Sequence, residues 1–177
     1  MNGEHRRRID KILDDEFLAG FESADLDSIR ELRQMTDEVE TELSYYRRLL
    51  HGRMDLLAFE LRRRSGEETR SLIEALPEIL GSGERTGPLG RVPAIFSPDL
   101  PDERHRPVDK VLGDDFLTRM PDLSEEELHE MQGLLAETEE SISVQRQNVQ
   151  KVFDEIQAEI TRRYKDGVID GVDLLAD

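Results

Sequence analysis

The sequence contains no cysteine. A disulfide framework and a thiolate zinc site are therefore excluded. No run approaches the roughly 20 apolar residues that a membrane-spanning helix needs. The opening residues, Met1-Asn-Gly-Glu-His-Arg-Arg-Arg, lead into no apolar stretch, so no secretory signal is expected and the expected location is cytoplasmic. Positive charge is in deficit: 24 Lys and Arg stand against 41 Asp and Glu, a formal net charge of −17. That balance argues against direct binding to nucleic acid or to an anionic membrane, because both require phosphates to be neutralised. It favours a basic partner if the partner is large. Also missing are a Gly-rich phosphate loop, an H-E-x-x-H pair and a nucleophile beside a base. No catalysis is expected.

What the sequence does have is apolar periodicity, and 177 residues suffice for one domain with a modest core. Residues 9–21, IDKILDDEFLAGF, place Ile9, Ile12, Leu13 and Phe17 at helical spacing and predict a short helix. Asp25 is a suitable N-cap for a long helix through about Arg64. Along it Leu32, Val39, Leu43, Leu50, Leu57 and Leu61 recur at intervals of 7, 4, 7, 7 and 4, a coiled-coil seam. Arg62-Arg63-Arg64 suits the helix dipole and Ser65-Gly66 is a stop. Residues 67–80 predict one further helix, interrupted or ended near Pro77.

Residues 108–120, VDKVLGDDFLTRM, then repeat the opening: Asp10-Lys11 returns as Asp109-Lys110, and Phe17-Leu18 as Phe116-Leu117. Ser124 with Glu127 has capping-box spacing for a second long helix. Its seam is Met131, Ile142, Val149, Ile156 and Ile160, and it carries Glu159, Arg162 and Arg163 where the first has Glu60, Arg63 and Arg64. The predicted organisation is a first helical repeat over 1–80, a Gly/Pro-rich linker over 81–107, a second repeat over 108–164 and an acidic tail over 165–177. Neither half buries its seam alone, so the expected fold is all-α: an antiparallel helical hairpin, or coiled coil, built by internal duplication with short flanking helices.

The duplication carries a polar stripe as well. Glu40, Ser44, Arg47, His51 and Asp55 return as Glu139, Ser143, Arg146, Gln150 and Asp154, every pair separated by 99 positions. At about 100° per residue, each set falls within an arc of roughly 80° on one helix face. Taken alone, one such stripe reads as a solvated face with i,i+4 pairs. The same residue types at constant offset argue for a shared task. In antiparallel packing the two stripes are expected to line one surface, suited to a twofold-symmetric ligand or to two copies of one ligand. Arginine matches guanine O6 and N7 or a phosphate, and carboxylates accept from guanine N–H groups. Acid and base together suit a guanine nucleotide better than phosphate alone, but charged stripes are common on helices and the chemistry by itself leaves the ligand open.

The pattern E-x3-S-x2-R-x3-Q-x3-D, present twice on a helical hairpin, resembles the RsiG anti-sigma factors of actinobacteria. The second copy matches at all five positions; the first has His51 in place of Gln. The resemblance implies that Glu40, Ser44, Arg47, His51, Asp55, Glu139, Ser143, Arg146, Gln150 and Asp154 hold cyclic di-GMP, as two partly intercalated molecules, with no metal. It further implies that the loaded protein sequesters a sporulation sigma factor from core RNA polymerase. Some members of that family carry one motif and act as homodimers; two motifs in one chain imply that this chain forms the site as a monomer. Imidazole is shorter than the Gln side chain, so His51 departs from the pattern in reach. Two other readings remain: a nucleotide-independent coiled-coil adaptor, motivated by the seams and the charge, and a degraded di-metal bundle, motivated by the E-x-x-H of Glu126 and His129.

Overall fold

The structure, a computed structural model, describes residues 8–81, 116–165 and 167. Every described element is helical: α1 Arg8–Ile12, a 3-10 turn Phe21–Ser23, α2 Leu26–Ser65, α3 Leu72–Gly81, α4 Phe116–Arg119, a 3-10 turn Met120–Asp122, and α5 Glu125–Lys165. The predicted linker, apart from Gly81, and nearly all of the predicted tail lie outside the described residues, as do residues 108–115 of the second short helix.

Both long helices begin, and α2 ends, on the signals read from the sequence. Asp25 accepts from the Ser28 amide at 2.9 Å, capping α2. At the far end Gly66 takes φ 82°, which a side chain would oppose. Its amide bonds the Arg63 carbonyl and the Glu67 amide that of Arg62, so the orphan carbonyls of the last turn are satisfied. Ser124 and Glu127 form a reciprocal box on α5: the Ser124 amide reaches Glu127 at 2.7 Å and the Glu127 amide reaches Ser124 Oγ at 3.2 Å.

Two expectations need correction. The short helix predicted over residues 9–21 stops at Ile12. Beyond it the Glu16 amide bonds the Asp14 carboxylate at 2.9 Å, a side-chain turn that competes with the helical ladder, and Gly20 is left-handed at φ 75°. The helix predicted over 67–80 begins only at Leu72, capped by Ser71 and Glu74, and Pro77 does not interrupt it. The carbonyl that Pro77 leaves without an amide is that of Ile73, an 80% exposed residue.

The chain forms two compact units, Met1–Leu43 with Val144–Asp177, and Ser44–Ser143. In each, α2 and α5 pack against each other and run antiparallel. In the first, Arg30 near the start of α2 donates to Tyr164 near the end of α5, and Glu40 meets Arg146. There Ile29, Ile156 and Ile160 are buried, with Phe17, Leu18, Ala24, Leu32, Val152 and Tyr164 packed on them. The opening segment is thus folded back as a cap, held also by buried Ile12 and by Arg8, which pairs with Glu38 and Glu42. In the second unit Leu50, Leu57, Leu128, Leu135 and Ile142 are buried, and Phe116 is buried beneath the Arg53 guanidinium.

One device appears once in each unit. Glu159 binds Arg163 at 2.8 Å, and Arg163 donates on to the carbonyls of Phe21, Glu22 and Ala24. Glu60 binds Arg64 at 2.8 Å, and Arg64 donates to the carbonyls of Met120, Pro121 and Leu123. Each arginine at the end of one long helix therefore caps the turn that starts the other. From sequence these positions read as helix-end charge or, second, as a contact to a partner. Bonds from Arg162 and Arg163 hold the Glu159 carboxyl at about 2, against an ordinary 4.5. A folded-state value below the unfolded one means that this stabilisation is complete above about pH 4.5 and is lost as the pH falls toward about 2. Thermal melts taken down that range are expected to fall less steeply for Glu159→Gln than for the wild type. Parallel curves would show that the pair contributes nothing to acid stability.

Candidate functional site

The ten motif residues lie mid-way along α2 and α5, where helical periodicity sets each repeat's five on one face. Each compact unit holds part of the set. Val144–Asp177 with Met1–Leu43 contains Glu40, Arg146, Gln150 and Asp154. Arg146 Nη1 donates to Glu40 Oε1 at 2.9 Å, and Gln150 donates to Asp154, one turn along its own helix, at 2.9 Å.

The other unit contains Ser44, Arg47, His51, Asp55, Glu139 and Ser143. One oxygen, Glu139 Oε1, accepts from three donors: Arg47 Nε at 3.0 Å, His51 Nε2 at 2.9 Å and Ser143 Oγ at 2.8 Å. An ionised carboxylate only accepts, so His51 Nε2 carries a proton here. Arg47 Nε lies also 3.1 Å from Ser143 Oγ. Partial burial raises the Glu139 carboxyl, but the bonds from His51, Ser143 and Arg47 outweigh it and hold the group below its ordinary value. Ser44 is half-buried and Asp55 exposed.

The two arginine contacts are one contact seen twice. Arg47 of the first repeat meets Glu139 of the second, and Arg146 of the second meets Glu40 of the first; shifting either pair by the 99-residue offset gives the other with the helices exchanged. The position where the repeats differ behaves differently as well. His51 bonds across to α5, whereas its counterpart Gln150 bonds within its own helix. A row of guanidinium, carboxylate, hydroxyl and imidazole or amide groups offers donors and acceptors side by side. That is suited to a ligand edge bearing both.

Other features of the sequence resolve into structure. His129 Nδ1 bonds the Glu125 carbonyl at 2.8 Å, so one ring nitrogen is engaged by its own helix. Among the described residues no group of three or more His, Asp and Glu is placed to hold a metal ion. Among them, too, no helix is long and apolar enough to cross a membrane.

A family model described as RsiG-like matches residues 15–80 and 114–177, which include both motif copies and both arginine caps. No curated protein matches the chain.

Proposed function

The chain belongs to the RsiG-like family, a regulatory anti-sigma factor family, and from that premise we propose that it is a cyclic di-GMP-dependent anti-sigma factor. In this reading the ten motif residues hold two molecules of cyclic di-GMP, and the loaded protein sequesters a sporulation-type sigma factor from RNA polymerase in the cytoplasm. The observation that carries it is the reciprocal pairing of Arg47 with Glu139 and of Arg146 with Glu40. Each pair sets a planar donor fork against a carboxylate, the complement of a base with an acceptor edge beside a donor edge. Net charge of −17 supports a basic protein partner and disfavours contact with nucleic acid.

A pull-down of a sporulation sigma factor, with and without cyclic di-GMP, tests this. Allosteric coupling of ordinary size predicts that the nucleotide raises sigma affinity roughly 5- to 150-fold. Equal recovery in both arms would favour the nucleotide-independent coiled-coil adaptor. Titration calorimetry should give two nucleotides per chain.

A further inference from the structure

An apolar seam does not by itself fix how two helices align along their axes. On α5 the buried residues Leu128, Leu135, Ile142, Val149 and Ile156 recur every seventh position, and on α2 so do Leu43, Leu50 and Leu57. A slip of one heptad, about 10 Å at 1.5 Å per residue, sets apolar groups against apolar groups again. The polar stripes do not survive it. Arg146 meets Glu40, and Arg47 meets Glu139, in one alignment only. Choosing such an alignment is the best-attested use of buried polar pairs, whatever they do for stability.

Each compact unit holds one of these cross-repeat pairs and, further along the same two helices, one arginine cap. On α5 Arg163 lies 17 residues beyond Arg146, and on α2 its partner Ala24 lies 16 before Glu40. The other unit repeats both spacings, from Arg47 to Arg64 and from Leu123 to Glu139. Cap and pair are thus about 24–26 Å apart along either helix. The cap is selective. Buried Glu159 holds Arg163 Nε at 2.8 Å, and both terminal nitrogens reach the turn before α2. There Nη1 donates to the Ala24 carbonyl at 2.7 Å, and Nη2 to those of Glu22 at 2.9 Å and Phe21 at 3.3 Å. One heptad further along the chain is α2 itself, whose carbonyls are taken by its own amides, so the planar fork finds no second seat there.

We infer that Arg64 and Arg163, each oriented by its own glutamate, are positioning residues that set the axial alignment in which the two halves of the polar stripe face each other. They lie outside the stripe and act through it. The inference deepens the nucleotide reading above and rests on it for what the aligned stripe binds. The alignment itself can be measured without ligand.

The chain has no cysteine, so paired spin labels report without background. Met35→Cys with Val144→Cys reports on one unit and Leu49→Cys with Leu134→Cys on the other, all four at exposed positions. Label distances are measured in the otherwise wild-type chain, in the Arg64→Ala and Arg163→Ala double variant, and in Ile156→Ala, which truncates the seam and leaves both caps in place. The wild type and Ile156→Ala are expected to give one distance per pair, and the double variant a second. A slipped form holding about nine-tenths of the molecules lowers apparent affinity for cyclic di-GMP about tenfold, which titration calorimetry reads. Saturating nucleotide should then draw the two distances back to one, because it binds the aligned form. Lost stability alone does neither, so Ile156→Ala, assayed well below its Tm, should bind as the wild type does. A single distance in the double variant overturns the inference, whatever its affinity, and leaves the proposed function standing. Two distances in the double variant, with no binding of cyclic di-GMP by the wild type, uphold the alignment role and sink the nucleotide reading. If circular dichroism shows the double variant unfolded, Arg163→Lys, which keeps the charge and loses the fork, is read in the same way.

Discussion

Replacing Arg146 by alanine should weaken cyclic di-GMP binding by roughly 10- to 150-fold, the effect of losing hydrogen bonds to a charged group at about 1.5–3 kcal/mol. Arg146 stands on α5 in the unbroken copy of the motif, its side chain 32% exposed and its Nη1 on Glu40. Alanine removes the planar fork and also strips Glu40 of this cation, leaving a half-buried carboxylate beside an anionic ligand. Both consequences act against binding. Arg146→Lys should recover only part of the loss, because an ammonium supplies the charge without the bidentate geometry that fits guanine O6 and N7. Titration calorimetry of the three proteins would settle the assignment. Wild-type affinity in Arg146→Ala would remove this arginine from the site, and full rescue by lysine would reduce its role to charge alone.

What could be read in the sequence is what a single helix encodes. Caps at Asp25 and Ser124, the stop at Gly66 and the seam residues Val39, Leu50, Leu57, Val149 and Ile156 depend on local hydrogen bonding or on periodicity, and all are found as expected. The constant offset of 99 told more than either copy alone, because two surfaces rarely keep one chemistry in register without a common use.

What could not be read depends on the register between helices or on segments remote in sequence. Tyr46, Leu56 and Phe59 fall off the coiled-coil seam yet are buried. Thr36 is buried within α2 because its hydroxyl bonds the Leu32 carbonyl at 2.8 Å, which periodicity of apolar residues does not register. The partners of Arg64 and Arg163 are carbonyls in turns more than fifty positions away. A sequence signal was present there, since Glu60 and Arg64 return as Glu159 and Arg163, but helix-end arginines also suit the dipole and the simpler explanation hid the second. The cross-repeat arginine–glutamate pairs were hidden for the same reason. Face and spacing place the groups, but which arginine meets which glutamate is set only when α2 and α5 dock.

Ile156→Ala should destabilise the protein by about 2–5 kcal/mol, the usual range for truncating a fully buried aliphatic side chain. At roughly 2–4 °C per kcal/mol for a chain of this size, the Tm is expected to fall by about 4–20 °C. Ile156 is fully buried and belongs to the cluster with Ile29 and Ile160. Phe17, Leu18 and Ala24 of the folded-back opening segment pack on the same cluster, so truncation opens a cavity where α2, α5 and that segment meet. Leu134→Ala is the matched control, because Leu134 is 49% exposed and changes at such positions stay within about 0.5 kcal/mol. The contrast separates two uses of apolar residues on one helix. Scanning calorimetry that found the two variants equally stable would mean that the opening segment does not close over Ile156 in solution, and the turn capped by Arg163 should then lose its order with it.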